Sequence, residues 1–224
     1  ELGGKSASVV FADSDLEKAA GSVMSVFDNT GQDCCARSRY LVEKSIYTEF
    51  VERFVENSKK LIVGDPFDET TELGPLVAEA HRERVHGFVE RAGVKPILGG
   101  VKPDGPGCYY PPTVFTGISA DSELAQQEVF GPVVVILPFE TEAEAIALAN
   151  GTDYGLSGSL WTGDAARAMR VARQIRTGAL SVNASSSVHL ELPFGGYGQS
   201  GIGRELGPQA LEAYSEVKSV YWAQ

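Results

Sequence analysis

Two spacings of apolar residues alternate along this chain: short runs of adjacent apolar residues, and stretches in which they recur every three or four positions. Ser8 to Phe11 is a short β-rich run. Asp13-Ser14-Asp15 then supplies N-cap chemistry for a helix through about Phe27, broken by Asn29-Thr30-Gly31. Ser38 to Val42 reads as a strand. Tyr47, Phe50, Val51, Phe54 and Val55 form one apolar helical stripe, stopped by Gly64-Asp65-Pro66. A helix is predicted over Ala78 to Ala92 and a short strand over Pro96 to Leu98. Gly99 to Pro112 is a Gly/Pro-rich loop. Strands follow at Thr113 to Thr116 and Val133 to Phe139, and then a helix over Thr141 to Ala149 with a capping box between Thr141 and Glu144. Gly158 to Trp161 is a strand, Asp164 to Ile175 a helix and Ala179 to Val182 a strand. A Gly-rich loop spans Pro193 to Gly203, and the tail, Val217 to Trp222, has strand character. Strands alternating with helices predict an α/β fold with a mostly parallel sheet flanked by helices. Val133 to Leu137, the most apolar run, should be its most buried strand. No composition shift marks a domain boundary before about residue 183.

Composition narrows the function classes. The 224 residues are 43% hydrophobic and 22% charged, enough for a packed core. A net charge of −11 argues against nucleic acid, whose phosphates need a basic footprint. No apolar run is long enough to span a bilayer. The N-terminus has neither the basic flank nor the apolar stretch of a signal peptide, and it lacks a starting Met, as if cut from something longer. Three cysteines, two of them adjacent, make no disulfide framework, and a reducing cytoplasm is the natural setting. No Cys-x-x-Cys occurs, and His81 and His86 are far from Cys34 in sequence, so no metal site is expected.

Four segments carry candidate chemistry. Gly31-Gln32-Asp33-Cys34-Cys35 sets a cysteine on a turn between a helix and a strand, a good seat for an exposed nucleophile; a small buried apolar cysteine is the other reading. Arg37 and Arg39 could favour the thiolate, and Asp33 would oppose it if its carboxylate pointed inward. Glu1 precedes a Gly pair that lets backbone approach a ligand closely, although it also reads as a solvated acid. Glu128-Val129-Phe130 precedes the apolar strand. Its acid could accept from two sugar hydroxyls and its ring could pack on a heterocycle, or both could be plain loop and core. The Gly-rich loop at 193–203 is not a phosphate cradle: no Gly-Lys-Ser/Thr occurs, and the preceding segment is irregular.

Together the motifs Glu1-Leu2-Gly3-Gly4-Lys5, Gly31-Gln32-Asp33-Cys34, Gly64-Asp65-Pro66, Leu73-Gly74-Pro75, Glu128-Val129-Phe130-Gly131-Pro132, and Pro193-Phe194-Gly195-Gly196 through Gly203-Arg204-Glu205 resemble the aldehyde dehydrogenase superfamily, in that family's order along essentially the whole chain. The resemblance implies an NAD- or NADP-dependent oxidation of an aldehyde to a carboxylic acid, with Cys34 as nucleophile and Glu1 as general base. It implies that Glu128 holds the nicotinamide ribose, that Phe130 lies beside it, and that Leu2 and Gly3 lie near the nicotinamide. Asp33, Cys35, Val188 and Phe194 would line the substrate pocket, with the loop from Ala184 to Leu192 along its tunnel. It further implies a catalytic domain over residues 1–192, a C-terminal loop and oligomerisation strand over 193–224, and a homodimer or homotetramer in the full-length enzyme. The family's N-terminal coenzyme domain, with its oxyanion Asn, would be absent from this chain.

Departures from the pattern refine this. Gly198 stands where the family often has Lys. Val188 occupies a position often aromatic, suggesting a wider tunnel. Asp33 and Glu191 could favour a cationic aldehyde. Two rivals stand beside this reading: a non-catalytic assembly or binding module, and a CoA-acylating relative, against which Glu1 argues because those relatives often lack an acid there.

Overall fold

The computed structural model describes residues 1–186 and 188–224. In chain order the elements are β1 (Ala7–Val10), α1 (Leu16–Gly21), α2 (Met24–Phe27), β2 (Arg39–Glu43), α3 (Tyr47–Ser58), α4 (Glu79–Arg91), β3 (Thr113–Phe115), α5 (Glu123–Gln126), β4 (Val133–Phe139), α6 (Glu142–Asn150), β5 (Tyr154–Gly155), β6 (Ser157–Trp161), α7 (Ala165–Ala172), β7 (Ala179–Val182), β8 (Tyr197–Gly198) and α8 (Ala210–Ala213). Six strands form one sheet in the order β3-β4-β2-β1-β6-β7, every pair parallel. Strands β5 and β8 make a separate antiparallel pair.

Both sheet faces are buried, and successive side chains of a strand go to opposite faces. Tyr40 and Val42 of β2 join Val134 and Ile136 of β4 under α1 and α3, where Phe50 and Phe54 complete the cluster. Leu41 and Leu137 point the other way, into a cluster with Ala145 of α6 and Val171 of α7. A third cluster packs Val85, Phe88 and Val89 of α4 against Val129, Val133 and Val135. As the sequence predicts, Val133 to Leu137 is buried throughout.

Several expected elements differ. The helix predicted through Phe27 is broken after Gly21: Ser22 Oγ donates to the Ala19 carbonyl and lies 2.8 Å from the Tyr40 hydroxyl, so side-chain hydrogen bonds replace the next helical turn. Pro96 to Leu98 makes only a single bridge, Leu98 to Val114, because Gly99 turns the chain at φ +69°. The helix predicted from Asp164 to Ile175 ends at Ala172. In the capping box, Thr141 receives Glu144 N–H as expected, but Glu144 reaches back to Glu140 N rather than to the cap residue. The segment expected as an oligomerisation strand, 217–222, is exposed and pairs with no strand among the described residues.

Gly31 ties the cysteine turn to the sheet. It sits at φ +69°, and a Cβ there would come 2.2 Å from the carbonyl oxygen of Gly131. Gly31→Ala is therefore expected to destabilise the protein by about 2–4 kcal/mol, combining left-handed strain with overpacking. Urea unfolding of the variant measures this.

Candidate active site

The sheet topology explains how residues distant in sequence meet. Glu1 to Gly4 leads into β1, Cys34 and Cys35 precede β2, and Glu128 to Phe130 precedes β4. Because β4, β2 and β1 are adjacent and parallel, these three lead-in segments emerge side by side at one end of the sheet. That end is the N-terminal one, opposite to the usual site of open α/β sheets.

Cys34 is half-buried in a tight group. Its Sγ lies 3.9 Å from Cys35 Sγ and donates to Asp33 Oδ1 at 3.7 Å. The same Asp33 oxygen accepts the Cys35 N–H at 2.8 Å, so this carboxylate does point inward. The hydrogen bond with Cys35, burial and a hydrogen bond with Glu1 together push the Cys34 thiol well above the ordinary range for cysteine. The Asp33 carboxylate lies in reach of the thiol proton. Sequence spacing offers no metal pattern, yet Asp33, Cys34 and Cys35 bring three potential ligand atoms within 4.8 Å of one another, all from one turn.

Both arginines bond backbone carbonyls. Arg37, buried, donates to the Cys35 carbonyl at 2.6 Å and to Ser159 Oγ at 3.1 Å, fastening the cysteine turn to β6. Arg39 donates to the Lys5 carbonyl at 2.9 Å and to the Leu148 and Ala149 carbonyls at 2.7 and 2.9 Å. A cation among the last carbonyls of α6 suits the negative end of that helix, and it anchors the start of β1 there.

Glu128 lies across the Glu1–Gly4 segment. Its Oε1 accepts the Gly4 N–H at 2.9 Å, and a Cβ at Gly3 would come 2.3 Å from Oε2, so only glycine lets the acid approach. A polar cleft of about 380 Å³ opens beside it, lined by Gly3, Gln126, Gln127, Glu128, Asp153, Tyr154 and Gln199. Leu2 is exposed. Phe130 is partly exposed and holds a left-handed backbone, φ +57°, unusual for an aromatic residue. Helix α4 fixes this strain. Arg84 donates to the Glu128 and Val129 carbonyls at 3.0 and 2.6 Å, and His81 Nε2 bonds the Phe130 carbonyl at 2.6 Å. Sequence reading missed both residues. Their i, i+3 spacing on a predicted helix marks a shared face, but nothing in the sequence says that the face meets residues 128–130.

A second cleft, about 250 Å³, is lined by Met24, Ser25, Asp28, Asp33, Cys35, Arg37, Ser185, Ser186 and Val188. Three of the four residues expected to line a substrate pocket, Asp33, Cys35 and Val188, meet here. Phe194 does not. It is buried beneath the cysteines, against Cys35 and Leu156, with its backbone paired to Glu205. Glu191 is exposed and outside the cleft's lining. Ser187, in the loop expected to line the tunnel, lies outside the described residues.

Comparison with known proteins fits this geometry. The model of the aldehyde dehydrogenase family matches residues 1–220. The chain is 45% identical to betaine aldehyde dehydrogenase of Cereibacter sphaeroides and 42% identical to an aldehyde dehydrogenase of Emericella nidulans, over 99% of its own length in each case. It covers 47% and 46% of those proteins, so it spans about half the length of the curated relatives it matches. Among solved structures, an NAD-dependent aldehyde dehydrogenase from Sinorhizobium meliloti superposes with a TM-score of 0.95 at 44% identity, over 98% of this chain and 45% of that one. Betaine aldehyde dehydrogenase from Staphylococcus aureus, solved with NAD+, superposes with a TM-score of 0.92 at 40% identity, over 96% of this chain and 44% of that one. In a point mutant of the latter enzyme one cysteine carries β-mercaptoethanol. The chain belongs to the aldehyde dehydrogenase family.

Proposed function

We propose that this chain is the catalytic part of an enzyme that oxidises an aldehyde to a carboxylic acid with NAD or NADP, through a covalent intermediate on Cys34. The observation that carries the reading is the convergence, at one end of the sheet, of the half-buried Cys34 thiol, the Glu1–Gly4 segment packed at Gly4 against the Cys34 carbonyl, and Glu128 with Phe130.

An aldehyde carbon gives up hydride readily only once a nucleophile has made it tetrahedral. Cys34 attacks the carbonyl, and the departing thiol proton goes to a neighbouring carboxylate. The oxyanion that forms would be held by the backbone N–H of Cys34, a donor fixed beside the reacting carbon. When bound, the nicotinamide supplies the hydride acceptor. The residues present fit it: Glu128 offers a carboxylate to a ribose diol at the edge of a polar cleft, and Phe130 an exposed ring on a backbone tied to His81. The acyl group is then a thioester on Cys34, which splits one difficult step into two. Glu1 takes a proton from water as that water attacks the thioester, and Cys34 leaves.

Asp28 and Asp33 in the cleft beside Cys35 support a cationic aldehyde as the substrate class, and the betaine aldehyde relatives agree with it. The three free cysteines suit a reducing compartment such as the cytoplasm. No helix among the described residues is long and apolar enough to cross a membrane. Val217, Tyr221 and Trp222, all strongly exposed, are the side chains a homodimer or homotetramer would cover.

The test is an assay of the full-length protein with NAD+ and NADP+ against amino-, aromatic and aliphatic aldehydes. One mole of carboxylic acid per mole of reduced cofactor is expected, with the highest kcat/KM on a cationic aldehyde. No cofactor reduction with any aldehyde class overturns the reading, and equal kcat/KM across the classes removes the cationic preference.

A further inference from the structure

Ser200 is fully buried and bridges segments far apart in sequence. Its hydroxyl donates to the Gly3 carbonyl at 2.7 Å and accepts the Gly155 N–H at 3.1 Å. Its own carbonyl accepts the Leu2 N–H at 3.0 Å. Gly201 follows at φ +107°, and a Cβ there would stand 3.4 Å from both the N and the Cα of Glu1. The Glu1–Gly4 segment is therefore clasped on one side by Ser200 and Gly201, and on the other by Glu128 through Gly4 N–H. Behind Ser200 there is no slack: a Cβ at Gly196 would come 2.3 Å from the Ser200 Cβ, and one at Gly155 would come 2.6 Å from the Arg176 carbonyl oxygen.

We propose that Ser200 is the positioning residue for Glu1, setting the register of the Glu1-Leu2-Gly3 backbone against the Gly-rich loop so that the Glu1 carboxylate faces Cys34. This deepens the proposed function and rests on Glu1 as the base for thioester hydrolysis. The side chain must be small, and it must donate and accept at once. Alanine would leave the Gly3 carbonyl and the buried Gly155 N–H without the hydroxyl that joins them, and the cheapest relief is a shift of the Glu1 segment. The cysteine turn has bonds of its own, from Arg37 to the Cys35 carbonyl and from the Cys35 N–H to Asp33, and Ser200 touches neither. Losing the clasp should therefore slow the step that needs Glu1 and spare the step that forms the thioester. A base displaced by a fraction of its hydrogen-bond reach loses rate steeply.

The experiment is acid-quenched rapid mixing of the full-length enzyme with aldehyde and NAD+, with intact-protein mass spectrometry following growth and decay of the acyl-enzyme. Ser200→Ala is expected to form acyl-enzyme within about twofold of the parent rate and to hydrolyse it about tenfold more slowly. Gly201→Ala strains the loop backbone at φ +107° where it packs on Glu1, without touching the Ser200 hydroxyl, and the same split is expected. It carries the test alone if Ser200→Ala fails to fold. Hydrolysis within twofold of the parent in the folded variants overturns the inference, as does an equal loss in both steps. Glu1→Gln, measured in parallel, separates the two readings. If it hydrolyses acyl-enzyme normally, the assignment of Glu1 as base falls, and the role of Ser200 with it. If it is blocked while Ser200→Ala and Gly201→Ala are normal, only the Ser200 inference falls.

Discussion

Full-length enzyme carrying Cys34→Ser is expected to lose turnover by on the order of a thousandfold or more, because the whole two-step route runs through this sulfur. The serine is close to isosteric, so the hydrogen bond to Asp33 and the packing on Cys35 survive. What is lost is nucleophilicity: an alkoxide is far harder to form than a thiolate, and neighbouring carboxylates are too weakly basic to generate it at neutral pH. Cys35→Ala provides the contrast. Cys35 is buried in a small cluster with Leu156 and Phe194, so its removal costs packing but leaves the nucleophile. It also removes the largest influence raising the Cys34 thiol, so alkylation of Cys34 by iodoacetamide at neutral pH should be faster in that variant. Steady-state kinetics with both variants, read beside thermal unfolding, checks the assignment. Turnover retained by Cys34→Ser would falsify it.

Glu1→Gln is expected to move two readouts in opposite directions. As the base for thioester hydrolysis, Glu1 is worth roughly 10²–10⁴-fold, so steady-state turnover should fall by that order while the first turnover still forms acyl-enzyme. As a hydrogen-bond partner and negative charge beside Cys34, Glu1 raises the thiol; glutamine removes that charge, so the thiolate forms at lower pH. The alkylation profile of Cys34 should accordingly shift towards lower pH even as hydrolysis stalls. A purely structural role for Glu1 would change alkylation and turnover in the same direction. A general loss of both contradicts the assignment.

Much of the fold was legible because period-2 and helical patterns both follow from burial. β2 and β4 were marked by dense apolar runs, and α6 by its cap, Thr141, which binds the expected N–H group. The breaks were not legible. Ser22 ends its helix through Tyr40, a residue on a strand eighteen positions away, and no local pattern reports that partner. The site divides in the same way. Cys34, Glu1, Glu128 and Phe130 stood out through motifs, because glycines beside them mark close approach: Gly3 for the Glu128 carboxylate and Gly31 for the Gly131 carbonyl. Their convergence depended on strand order, which the chain does not spell out. The supporting residues were invisible for a related reason. His81, Arg84, Arg37, Arg39 and Ser200 all act on backbone carbonyls, and a carbonyl has no sequence signature. Phe194, given to the pocket by its motif, packs in a cluster with Cys35 against which Cys34 also lies.

The central claim is that Cys34, and not its neighbour, carries the acyl group. The direct measurement is peptide mapping of full-length Glu1→Gln enzyme, quenched in acid after incubation with aldehyde and NAD+. Fragmentation of the peptide that contains both thiols distinguishes them. The mass of the acyl group on Cys34, with Cys35 unmodified, is the predicted result. An acyl group on Cys35, or an unmodified peptide from enzyme that has reduced its cofactor, would contradict the account.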